Sequence, residues 1–143
     1  MKFKLLNDDK QKTYALILEK GDEVISCLMN FASSHKVSAA QFTAIGAFSR
    51  ATVGFFNFSK RDYKSISIDE QTEVLSLIGD ITRYNNRPKL HAHVVLGKED
   101  GTAHGGHLLE ATANPTLEII LTESPAYLQR EMDESIGIPL IAI

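Results

Sequence analysis

The sequence has one cysteine, Cys27, so no intrachain disulfide can form and a transition metal has few ligands open to it other than imidazole. No apolar run approaches the roughly 20 residues that a membrane helix needs. The first residues, Met1–Asp9, lack a long apolar core and a small-residue cleavage site, so no secretory signal is expected. These absences point to a reducing cytoplasm and no membrane partner. A basic excess is missing too: 15 Lys and Arg stand against 18 Asp and Glu, for a net charge of −3. Phosphate neutralisation supplies most non-specific affinity for nucleic acid, so this balance argues against DNA binding through the chain's own surface. There is no Gly-x-x-x-x-Gly-Lys phosphate loop and no Gly-x-Ser-x-Gly elbow. Repeats, low-complexity tracts and Pro/Ser-rich linkers are absent as well, so one domain over residues 1–143 is expected. At 43% apolar and 23% charged residues the composition is globular. A chain of this length buries roughly two-thirds of its unfolded surface.

The periodicities present describe many strands and one main helix. Tyr14–Leu18 is a short apolar strand that ends at Lys20-Gly21. Asp22 is placed to cap a helix whose apolar positions, Val24, Ile25, Leu28, Phe31 and Ala32, follow the spacing of one buried helical face. Cys27 lies beside that face and reads as a small buried hydrophobe. Residues 41–45 and 51–58 are rich in β-branched and aromatic side chains, with a bend or bulge expected over 46–50. Strands are also expected over 63–68, 73–80, 90–96, 102–110 and 116–122. A turn-rich loop falls at 83–89, and a hairpin turn at Gly97–Gly101. Ser124-Pro125 has the pattern of an N-cap and first helical position, which predicts a short helix from Pro125 to Glu131. Residues 138–143 form a closing strand. The fold class is α+β, with a largely antiparallel multi-stranded sheet and one main helix.

Three histidines carry the functional signal: His91 and His93 in Leu90-His-Ala-His-Val94, and His107 in Gly105-Gly-His-Leu108. Side chains alternate along a strand, so His91 and His93 share a face. A hairpin centred on Glu99 sets His91 opposite His107 and His93 opposite Gly105, where a missing Cβ leaves room for an ion. Three imidazoles then converge on one metal at about 2.0–2.1 Å. A one-residue slip would send His107 to the other side, so the reading depends on parity. Three nitrogen ligands leave a tetrahedral position open, for Glu73, Asp80, a group from another subunit, or a small molecule. Zinc is the first choice of divalent metal. His35, at the helix end, is expected to be exposed and to interact with the helix dipole. His104 falls opposite Val94, on the other face.

Other clusters read as less specific. Arg83-Tyr84 and Arg87-Pro-Lys89 form the most basic short stretch, a solvated loop that could touch phosphate or a carboxylate. Arg50, after Ser49 and Gly46, reads as one half of a structural ion pair rather than a ligand clamp. If the metal serves catalysis on a small carbonyl or carboxylate substrate, Arg50 and Glu73 are the candidate assisting residues.

Several ordered motifs resemble the plants and prokaryotes conserved (PPC) domain, which accompanies AT-hooks in plant nuclear proteins. They are Thr43-Ala-Ile-Gly-Ala-Phe-Ser-Arg-Ala-Thr52, Glu73-Val-Leu-Ser-Leu-Ile-Gly79 and Leu90-His-Ala-His-Val-Val-Leu-Gly97, followed by Gly101, Gly105-Gly-His-Leu108 and Pro115–Glu123. The resemblance covers nearly the whole chain and is to the free-standing bacterial form. It implies an α+β domain, a homotrimer, and a metal-binding role for the three histidines at 91, 93 and 107. It also implies a DNA-binding or regulatory role. The chain has no Arg-Gly-Arg-Pro core, the element that enters the minor groove in AT-hook relatives. The fold is similar as well to that of acetolactate decarboxylase, a three-histidine zinc enzyme. That likeness keeps a metal-dependent enzyme as the alternative, resting on fold analogy alone.

Overall fold

The structure is a computed structural model that describes residues 1–124 and 128–143. The described residues form nine strands and one α-helix. In chain order these are β1 (Lys2–Asn7), β2 (Thr13–Glu19), α1 (Val24–Ser34), β3 (Ala40–Asn57), β4 (Asp62–Ile68), β5 (Thr72–Tyr84), β6 (Arg87–Gly97), β7 (Ala103–Glu123), β8 (Gln129–Asp133) and β9 (Ile138–Ala142). All the strand pairs are antiparallel except one parallel bridge, Arg83 to Gln129 between β5 and β8.

The sheet curls until it meets itself. β3 pairs with β5 and with β7, and β6 pairs with β5 and with β7, so four strands form a ring. Two strands are long enough to serve different neighbours along their length. The first half of β3 lies beside β5 and its second half beside β4. The sequence-based break at 46–50 is a bulge inside this single 18-residue strand. Gly46 supplies it: its φ is +150°, and a Cβ there would run into the Thr116 carbonyl. The strands expected at 102–110 and 116–122 are likewise one continuous strand of 21 residues.

Inside the curl, Phe42, Phe48, Leu77, Leu96, Leu117 and Leu121 pack with Val24, Leu28, Phe31 and Ala32 of α1. The helix buries the face its spacing predicts. Its N-cap is Glu23, whose carboxylate accepts from Ile25 N–H (3.1 Å) and Ser26 N–H (2.7 Å). Asp22 does not cap, because its carboxylate is engaged by the Met1 ammonium (2.7 Å) and by Glu19 N–H (2.9 Å). Lys36, at φ +56°, ends the helix in a Schellman motif, with Val37 N–H on Ala32 O and Lys36 N–H on Ser33 O. His35 is half-buried rather than exposed. Its ring stacks on Phe31 at 4.2 Å, and its Nδ1 lies 3.1 Å from the Phe31 carbonyl, so the aromatic cluster claims it. Cys27 is half-buried against the core, which raises its thiol pKa.

Further elements differ from expectation: the loop expected over 83–89 narrows to a turn at Asn85-Asn86, because Arg83 and Tyr84 pair with Pro88 and Arg87. β1 was not foreseen; it is an edge strand exposed at every residue. The helix expected over 125–131 is replaced by strand β8 from Gln129 onward, and residues 125–127 lie outside the described residues. Pairing of β8 with β9 overrides the local N-cap signal, because each β8 residue finds a backbone partner between Ile138 and Ala142.

Candidate metal centre

The centre sits on the outer face of the curled sheet, where β6 meets β7. The hairpin register differs from the predicted one by two residues: His93, not His91, pairs with His107, and Gly105 faces Val95. The turn is centred one residue later than expected, held by Lys98 N–H on Thr102 O and Gly101 N–H on Lys98 O. Moving the centre by one residue shifts the opposed partner by two, so parity survives and the three rings still share a face. His91 lies two residues beyond the last hairpin pair and reaches His107 diagonally. His104 pairs with Leu96 instead of Val94 and is exposed.

The three imidazoles converge. Ring centroids are 5.0 Å apart for His91 and His93, 5.1 Å for His91 and His107, and 5.5 Å for His93 and His107. One potential ligand atom from each lies within 4.8 Å of the others. The Nε2 atoms of His91 and His93 are 3.2 Å apart. Two nitrogens bound tetrahedrally at 2.0–2.1 Å to one ion would be about 3.3 Å apart, so this pair already has ligand spacing.

Burial disfavours the protonated form of two of the three rings. It depresses the pKa of His107 to about 4, helped by repulsion from His91 and His93. It also depresses that of His91, helped by the Arg130 guanidinium. Neutral imidazole is the form that ligates. The His107 ring stacks on Tyr63 at 4.6 Å, and its Nδ1 is buried with no hydrogen-bond partner among the described residues. An unpaired buried nitrogen costs about 1–3 kcal/mol, a cost that ligation would remove if this were the ligating atom. The donor set, three imidazole nitrogens with no thiolate, suits a borderline divalent cation such as zinc.

Behind His91 stands a charged pair. Asp80 is the cross-strand partner of His91, with Oδ2 at 3.9 Å from His91 Nδ1. Arg130, 5% exposed, donates from Nη2 to Asp80 Oδ1 at 2.7 Å and places the same atom 3.4 Å from His91 Nδ1. Asp80 thus lies behind a ring rather than in the group of converging donors. Neither Arg130 nor Tyr63 was singled out from sequence. Arg130 fell in a stretch read as helix, and no local pattern says that it folds back onto β5.

The other sequence candidates lie elsewhere. Glu73 is exposed and pairs with Gly97, four residues along β6 from His93. Arg50 pairs with Thr112 and sits 3.7 Å from Glu110; the ion pair expected of it is there, but on the surface. Beside the histidines runs an open groove of about 660 Å³, lined by Gln41, Thr43, Asp80, Thr122, Ile78 and Ile120 together with His91 and His93. Cross-strand rows build it: Ile120, Thr43, Ile78, His93 and His107 in one, and Thr122, Gln41, Asp80 and His91 in the next. Its floor needs Gly79, where a Cβ would come within 2.6 Å of the His91 carbonyl oxygen and crowd the Phe42 ring.

The family model of the Plants and Prokaryotes Conserved (PCC) domain matches residues 6–125. Among solved structures, a plant- and prokaryote-conserved protein from Pyrococcus horikoshii is 29% identical, with a TM-score of 0.84 over 96% of this chain and 93% of that one. A metal-containing protein from Archaeoglobus fulgidus is 29% identical, with a TM-score of 0.85 over 99% and 97%. A proposed DNA-binding protein from Ralstonia eutropha is 29% identical, with a TM-score of 0.85 over 91% and 90%. A Staphylococcus aureus protein described as similar to α-acetolactate decarboxylase shares the fold more distantly, at 12% identity and a TM-score of 0.60 over 80% of this chain and 53% of that one. No curated protein matches the sequence. No helix among the described residues is long and apolar enough to cross a membrane.

Proposed function

The chain belongs to the Plants and Prokaryotes Conserved domain family, and we propose that it serves there as a cytoplasmic metal-binding module, a homotrimer that holds one divalent cation, zinc first, on His91, His93 and His107. The observation that carries this reading is the convergence of three ring nitrogens, two of them already at ligand spacing. The metal-containing relative from Archaeoglobus fulgidus supports it. Elemental analysis of the purified protein should find one metal ion per chain. Replacing His91 and His107 separately by Ala should remove stoichiometric metal, and its retention in both variants would defeat the assignment.

The trimer rests on the outer face. Ile45 (61% exposed), Ile78 (55%), Ile120 (48%) and Val95 (43%) lie on the same face as the histidines, and further copies of the chain would cover them. Light scattering should report three chains per particle, and Ile45→Glu should shift the distribution toward monomer. A wild-type monomer at micromolar concentration sinks the trimer.

The regulatory side of the proposal is DNA, by likeness to the relative from Ralstonia eutropha. Its candidate contact is the basic β5–β6 turn with Arg87 and Lys89, which works against a net charge of −3. Binding of this kind should weaken steeply with salt. No shift of a duplex at low salt and micromolar protein removes it.

One observation favours a second reading, a metal-dependent enzyme: the groove runs directly beside His91 and His93. Three neutral ligands leave a divalent charge uncompensated, which suits a small carbonyl or carboxylate compound in the open position. When bound, the ion would polarise such an oxygen or activate a water. Gln41, Thr43 and Thr122 line the same groove and can orient the ligand by hydrogen bonds. A fourth protein ligand closing the metal would count against this reading.

A further inference from the structure

We propose that Asp80 and Arg130 are positioning residues of the metal centre, and that through them the C-terminal hairpin β8–β9 becomes part of it. The inference rests on the metal reading above and assigns a role to a segment that reading does not use.

Arg130 is the one buried charged residue among the described residues. A guanidinium leaves water at high cost unless its donors are met by good partners. Here they are met by three acceptors on two strands. Nε donates to Thr82 Oγ1 of β5 at 2.8 Å, Nη2 to Asp80 Oδ1 of β5 at 2.7 Å, and Nη1 to the Pro139 carbonyl of β9 at 3.0 Å. The hairpin's backbone bond to β5 at this point is Arg83 N–H on Leu128 O, at 3.2 Å beside the single bridge. A charged, planar side chain therefore takes part in the docking, and it docks onto the carboxylate behind His91.

The tautomer of His91 connects the two. The Nε2 atoms of His91 and His93 are 3.2 Å apart, a spacing at which one donates to the other. When His91 is the donor, its Nδ1 is a bare acceptor, and Arg130 Nη2 lies 3.4 Å away to meet it. A cation on Nε2 takes the place of that proton. The remaining ring proton then belongs on Nδ1, where the Asp80 carboxylate, with Oδ2 at 3.9 Å, is poised to accept it after a small closing movement. A carboxylate behind a ligating histidine fixes its tautomer and makes it a stronger donor. Arg130 holds that carboxylate by its other oxygen and so determines where it points. Because binding free energies are reciprocal, whatever factor the docked hairpin adds to metal affinity, the metal adds to docking.

Zinc titration of the full-length wild type and of Asp80→Asn tests the first half. Asn keeps the size of the side chain and an oxygen for Arg130 but loses the charge. Zinc affinity should fall about 10–100-fold, with circular dichroism and oligomeric state unchanged. A merely structural role would move stability and leave zinc affinity alone. Hydrogen exchange tests the second half without any variant: zinc should slow exchange of the amides over 129–142 in the wild type, and should do so less in Arg130→Lys. Asp80→Asn binding zinc within about twofold of wild type, or hairpin exchange indifferent to zinc, overturns the inference and leaves the metal site standing. A wild type that takes up no zinc overturns both.

Discussion

Two hairpins meet at the histidine site, and they are built differently. The β6–β7 hairpin is woven into the sheet on both sides, with β5 along one edge of β6 and β3 along most of β7. Its inward side chains, Ala92, Val94, Leu96 and Leu108, are core. Among the described residues, the β8–β9 hairpin meets the sheet at the Arg83–Gln129 bridge, at the Arg83 N–H bond to the Leu128 carbonyl and at the Arg130 side chain, and it leaves Met132, Leu140 and Ile141 exposed. The first supplies two of its three rings from one strand and fixes them by packing. The second supplies a guanidinium and is held largely by hydrogen bonds and charge. A rigid frame thus places the donor atoms, while a loosely attached arm touches the residue behind one of them.

The comparison can be broken most directly by truncation. Leu96→Ala, fully buried in β6, should cost about 2–5 kcal/mol, while Leu140→Ala in β9 should cost about 0.5 kcal/mol or less, read from denaturant unfolding. Equal losses would mean that the second hairpin is as firmly built as the first. Gly79→Ala sharpens the picture beneath the site. Its new Cβ must displace the Phe42 ring or the His91 backbone, at about 1–3 kcal/mol and with weakened metal uptake. Unchanged stability would mean that the floor of the groove yields easily. The smallest effect is expected away from the histidines: Arg50→Ala breaks an exposed ion pair with Glu110 and should shift stability by about 0.5 kcal/mol or less, with metal content intact. A loss of metal in that variant would return Arg50 to the site.

Much of the frame was legible residue by residue. The helix followed from the spacing of Val24, Leu28, Phe31 and Ala32, and the β6–β7 hairpin from the alternation around His91 and His93 and the turn before Gly101. Where the sequence misled, a longer-range contact had won. Asp22 was drawn from capping by the chain's own ammonium, His35 by the rings of Phe31 and Phe3, and Gln129–Asp133 from helix to strand by pairing with 138–142. The bend at 46–50 was visible through Gly46, but not that the chain continues through it as one strand.

What the amino-acid order determined alone was that residues 91 and 93 fall on one side of their strand, because side chains alternate by covalent geometry, whatever the partner; residue 107 joins them because the register keeps its parity. Tertiary structure decided the rest. Which ring faces which depends on how a five-residue turn closes, a matter of two residues that parity cannot see. That Asp80 backs His91, and that Arg130 crosses 50 residues of sequence to hold it, depends on the sheet curling closed and on a distant hairpin docking to it. Alternation is local and needs no partner. Register and docking are sums over many contacts far apart in the chain, and those sums are settled only once the core has packed.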